Sequence, residues 1–104
     1  MTMITDLIRE QQDYFYYLNS LKEEFGIECE IIPVLRDLSY RIKALATLSS
    51  NGDIDGEFFE RELNKIKFLI NKYIPVNVRY KINTDPRGIG LKLINKEGNE
   101  KAIY

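Results

Sequence analysis

The sequence predicts an α+β fold, with a three-helix layer packed on a small C-terminal antiparallel β-hairpin or three-stranded meander. Three observations carry the prediction. Apolar residues step by three and four up to Pro75 and alternate strictly after it. Stop signals at Gly26, at Ser49-Ser50-Asn51-Gly52 and at Pro75 divide the first part into three helical segments. A chain of 104 residues has room for one hydrophobic core. Residues 1–104 therefore read as a single domain, helical over 1–74 and hairpin over 75–104.

The first helix is predicted from Thr5, a plausible N-cap, to Gly26, placed for a left-handed C-cap. Ile4, Leu7, Gln11, Tyr14, Leu18, Leu21 and Phe25 form one stripe along it, expected to be buried. Residues 27–32 fit either a short strand or a first helical turn, because Pro33 is tolerated only near a helix start. The second helix is clear from Leu35, with Leu38, Ile42 and Leu45 on its stripe. The third begins at Asp53 or Asp55 and runs to Tyr73, burying Phe59, Leu63, Ile66, Leu69 or Ile70, and Tyr73. After Pro75, Val76, Val78, Tyr80 and Ile82 share one face of a strand. Asp85-Pro86-Arg87-Gly88 reads as a type I turn with Gly88 left-handed. Ile89, Leu91 and Leu93 answer on the return strand, and Ala102-Ile103-Tyr104 is a candidate third strand.

Composition excludes several kinds of chemistry. The 15 Lys and Arg nearly balance 16 Asp and Glu, which argues against a general nucleic-acid coat. The chain has no histidine, so imidazole-based catalysis and the commonest metal ligand are missing. A single cysteine, Cys29, allows no internal disulfide, suits a reducing cytoplasm, and lies between Glu28 and Glu30, which oppose thiolate formation. No Gly-rich phosphate loop and no membrane-length apolar run is present. The expectation is a cytoplasmic, non-enzymatic protein without a cofactor. The first six residues are similar to the start of β-galactosidase, a common translation leader. Leu7 departs from it and the helical pattern runs through Ile4, so they are read as native.

Three constellations are candidates for binding. On the first helix, Tyr14-Phe15-Tyr16-Tyr17 puts four rings around nearly the whole circle, more than one core stripe can take. Tyr16 and Tyr17 are left outward unless another part of the chain covers them. With Glu10 and Asp13 they form a candidate surface for a partner protein. The second constellation is the basic hairpin face of Arg79, Lys81 and Lys92, with Arg87 at the turn tip, suited to a phosphate-bearing nucleotide or nucleic-acid backbone. Residues 76–104 carry 6 basic and 3 acidic side chains, against 9 and 13 in residues 1–75. The third is Asn51, Asp53, Asp55 and Glu62, at the first, third, fifth and twelfth positions of a calcium loop. Asn at the first position and the lack of a second loop count against calcium, and the plainer assignment is a helix cap.

Residues 50–95 carry a resemblance. Asn51-Gly52 ahead of a helix, Thr84-Asp85-Pro86-Arg87-Gly88 and Leu91-Lys92-Leu93 resemble a kind of small protein encoded by bacteriophages and prophages. The commonest form has Gly where Thr84 stands, and a bulky residue followed by a small one where Ile89-Gly90 stands. That group has largely no assigned activity, so the resemblance implies a source and not a mechanism. Short phage proteins often block a host defence or regulatory protein, which makes a phage-type inhibitor the expectation. The alternative is a sponge for a phosphate-bearing ligand. The length of the first helix adds a further expectation, a homo-oligomer.

Overall fold

In the computed structural model, which describes residues 2–104 and the side chains of residue 4 and residues 6–104, the helices are α1 (Thr2–Phe25), α2 (Ile32–Ser50) and α3 (Gly56–Tyr73). They are followed by strands β1 (Arg79–Ile82), β2 (Leu91–Ile94) and β3 (Glu100–Ile103), in the order β1-β2-β3 and antiparallel throughout. The meander is thus three-stranded, and its third strand begins two residues before the predicted segment. Residues 27–32 are not a strand. Ile31 N–H bonds Glu28 C=O in a turn, and α2 starts at Ile32 with Pro33 in its first turn, where no intrahelical N–H is needed.

α2 occupies the middle of the molecule, bordering α3 on one side and β2 and β3 on the other. Leu35, Leu38, Ile42 and Leu45 are all buried along it, as their spacing requires. Ser39 Oγ donates to Ile103 C=O at 3.1 Å, so the polar side chain on this face is satisfied and also fixes β3. Gly90 lets the sheet come this close. A Cβ there would lie 2.6 Å from Ser39 C=O and 3.2 Å from Ile42 Cβ. α3 starts as the acidic pattern predicts, with Asp55 as N-cap accepting from Phe58 N–H at 2.8 Å. Leu63, Ile66 and Ile70 are its buried residues, while Phe59, Leu69 and Tyr73 pack at the margin.

The sheet places Tyr80 and Ile82, Leu91 and Leu93, and Ile103 on the helix side. Arg79, Lys81, Lys92, Ile94 and Glu100 lie on the other. Three expectations for this region do not hold. Ile89 precedes the return strand, which begins at Leu91. Val76 lies outside β1 and is fully exposed, because Val78 N–H bonds Pro75 C=O in a turn that delays the strand. Gly88 closes the predicted turn, bonding Asp85 C=O at 3.0 Å, but without a positive φ. The left-handed glycines are Gly26, Gly52 and Gly98.

α1 departs most from expectation. The helix is already formed at Thr2, so Thr5 lies in its first turn; the Thr5 side chain, the predicted cap, falls outside the described residues. Its C-terminus is as predicted, with Gly26 at φ 70° and Gly26 N–H bonding Lys22 C=O. Among the described side chains of α1 only Tyr17, Leu21 and Phe25 are buried, and Leu18 packs at the margin. Every described side chain from Ile4 to Tyr16 is exposed, so the upper half of the predicted stripe is not core. The radius of gyration is 15.6 Å, where a compact chain of this length has about 13 Å. The excess reflects the projecting half of α1, hereafter the arm.

Candidate functional site

The arm is amphipathic with respect to solvent. At about 100° per residue, Ile4, Leu7, Ile8, Gln11, Tyr14 and Phe15 lie within one stripe, while Asp6, Arg9 and Asp13 lie opposite it. Glu10 and Tyr16 flank the charged side. The buried trio Tyr17, Leu21 and Phe25 is centred about 80° from the stripe's centre and overlaps it, Phe25 lying about five turns from Leu7 in the same direction. The stripe stays in water because the core ends at the level of Tyr17, below the arm. Phe15 is 62 % exposed and Tyr16 70 %. Contiguous apolar surface of this extent is uncommon on a monomer unless it binds something.

An aromatic clamp holds the base of the arm. Tyr17 donates its hydroxyl to Ala102 C=O at 2.8 Å and accepts from Tyr104 N–H at 3.3 Å. Its ring stacks on Tyr104 with centroids 5.0 Å apart and on Tyr14 at 6.2 Å. The Arg36 guanidinium lies over the Tyr14 ring and donates to the Tyr14 hydroxyl. Burial pushes the Tyr17 hydroxyl above its ordinary pKa, with the Tyr104 hydrogen bond acting in the opposite sense. The expected exposure of Tyr17 is therefore corrected. At 9 % exposure it is a hinge pin between α1 and β3, and it is unavailable to a partner. Tyr16, Asp13 and Glu10 are exposed on the arm as expected.

The basic hairpin is less open than its sequence suggests. Lys81 and Lys92 are direct cross-strand partners on the wet face, but Lys81 pairs with Glu100 at 3.3 Å. Arg87 is held back on its own turn. Its Nε and Nη2 reach the two Asp85 oxygens at 3.2 and 3.3 Å, and its N–H also bonds Asp85. These contacts hold the Asp85 carboxyl below the usual range, the side-chain hydrogen bond most of all. Arg79 and Lys92 have no ion-pair partner among the described residues.

Three of the four residues of the calcium pattern have other local roles, and Asp53 is exposed with only its backbone N–H bonded, to Leu48 C=O. Asp55 caps α3, Glu62 pairs with Lys65 at 3.2 Å, and Asn51 ends α2. No group of three carboxylate, histidine or cysteine side chains able to hold a metal occurs among the described residues.

Sequence reasoning missed a groove of about 540 Å³ between α2 and α3, floored by Leu45, Ile66 and Leu69 and rimmed by Leu48, Phe58 and Arg41. Phe58 was the available signal, an aromatic residue off the helical stripe and next to the cap. Among the described residues no helix is long and apolar enough to cross a membrane. No family model matches this chain, and no curated protein or solved structure matches it.

Proposed function

We propose that this chain is a non-enzymatic interaction protein that engages a partner protein through the arm of α1, acting as a phage-type inhibitor of a bacterial defence or regulatory protein. The observation that supports it is the arm itself, a helix from Ile4 to Tyr16 whose described side chains find no place in the chain's own core. The side carrying Tyr16, Asp13 and Glu10 offers an amphipathic ring beside two carboxylates. That chemistry fits a basic surface with an apolar recess. The basic hairpin is the weaker candidate, since Lys81 and Arg87 are already engaged by carboxylates.

The test is capture from bacterial lysate by the full chain, followed by rebinding of the purified captured protein. Specific rebinding that weakens with salt and falls at least tenfold in Tyr16→Ala/Asp13→Lys supports the reading. Rebinding that is unaffected by these changes, or failure to rebind at all, overturns it.

A further inference from the structure

We propose that the apolar stripe of the arm is covered by the arm of a second copy of this chain, laid antiparallel to the first. The inference deepens the reading above, since both treat the arm as a docking element, but it uses the opposite side of the helix. Ile4, Leu7, Gln11 and Tyr14 occupy alternating three- and four-residue steps, the spacing of a coiled-coil seam, with Ile8 and Phe15 widening it on one flank. Their exposures, between 45 % and 62 % for the apolar members, amount to roughly 500 Å² of side-chain surface per arm. Two arms together reach ~1,000 Å², the lower bound for a specific interface.

Self-pairing also accounts for the charge pattern. Asp6, Arg9 and Asp13 point away from the seam, and Glu10 is the single charged residue at its edge. Tyr16 and Asp13 remain outside the pair and free for a different partner. Orientation follows from the anchoring trio. The body of each copy overhangs the lower end of the stripe at Leu18, which is half-buried. A parallel pair would bring two bodies together there, whereas an antiparallel pair keeps them at opposite ends. With the overlap set to the length of the arm, Ile4 of one copy meets Tyr14 of the other, and Leu7 meets Gln11. The two-fold axis passes beside Arg9, and each surface is its own complement.

Sedimentation equilibrium of the full chain, from micromolar to submillimolar concentration, is the primary test. A dimer that dissociates on dilution is expected, and a monomer throughout overturns the proposal. Ile8→Glu/Phe15→Glu is expected to weaken the dimer at least a hundredfold with an unchanged helical circular-dichroism spectrum; an undiminished dimer places the interface elsewhere and overturns the proposal. Gln11→Leu replaces the one polar residue of the seam opposite Leu7 and is expected to tighten the dimer roughly tenfold. This gain cannot arise from misfolding. Weakened dimerisation in Gln11→Leu counts against the seam. Efficient disulfide formation by Gln11→Cys, in a Cys29→Ser background, would place the two Gln11 positions face to face in a parallel pair and overturn the orientation. Tyr16→Ala/Asp13→Lys is expected to leave the dimer intact. Loss of partner rebinding in that variant, with the dimer unchanged, separates the two readings.

Discussion

At the scale of single residues, two positions decide whether the three layers stay together. Tyr17 joins the longest helix to the last strand through one hydroxyl that both donates and accepts. Tyr17→Phe keeps the ring stacking but leaves Ala102 C=O and Tyr104 N–H without this partner. The expected loss is about 1–2 kcal/mol in urea unfolding, more than one ordinary hydrogen bond, because partly buried backbone groups are orphaned. The same hydroxyl makes a pH prediction. Its pKa is raised in the folded state, so its contribution is fully present below about pH 10 and is lost as pH rises through the folded value. Alkaline destabilisation of the native chain should therefore exceed that of Tyr17→Phe. Gly90 is the second position. Gly90→Ala forces a methyl against the backbone of α2, which cannot yield without moving the helix, and is expected to cost at least about 2 kcal/mol. Gly88→Ala is the control. The added methyl there meets first the amide end of the Asn83 side chain, which can move aside at the cost of its exposed bond from Asp85 N–H, so a smaller loss is expected in the same assay.

At the scale of elements, the ends of α3 were legible and the depth of α1 was not. Asp55 as cap, Pro75 as stop and the stripe between them are local features, set by backbone hydrogen bonding and a 3.6-residue period. Asp55→Ala should lower stability by about 1 kcal/mol. Calcium should not raise the melting temperature of the native chain, because Asp55 and Glu62 are committed to the cap and to Lys65. α1 shows the opposite case. Its stripe is regular over seven positions, yet only the last three reach the core, and Tyr14 above them meets only Tyr17 and the Arg36 side chain. Hydrogen exchange measured at a concentration that favours the monomer should divide the helix, with slow amides near Leu21 and Phe25 and fast ones before Tyr14.

For the whole molecule, one cluster of buried residues gathers side chains from all three helices, β2 and β3, with Tyr80 and Ile82 of β1 packed at its margin and α2 at its centre. The arm lies outside it. Ile4→Ser and Leu7→Ser should accordingly change the unfolding free energy of the monomer, measured in urea, by less than about 0.5 kcal/mol while reducing dimerisation. Similar losses of both would place the arm in the core after all. The charge division between the two parts of the chain has a modest structural outcome. Two of the cations on the hairpin meet acids close by, Glu100 across the sheet and Asp85 in the turn. Exposed pairs of this kind contribute at most about 1 kcal/mol, so they tie up the basic face without cementing it.

The sequence by itself determined the class of the fold, the three helices, the alternation from Val78, the Gly26 cap and an acidic cap for α3 at Asp53 or Asp55. Each is a property of neighbouring residues and of one periodicity. It also supplied the exposed tyrosine Tyr16 with Asp13 and Glu10, because four successive rings cannot share one face. Only the tertiary structure decided which ring was covered, which half of α1 had a core to meet, and which cations were already paired. Tyr17 is buried because Ala102 and Tyr104, more than eighty residues away in sequence, come to rest on it. The stripe from Ile4 to Phe15 stays in water because α2, α3 and the sheet close their core at Leu21 and Phe25. Apolar spacing states which side of a helix can be buried; how far along it burial extends is set by the size of what packs against it.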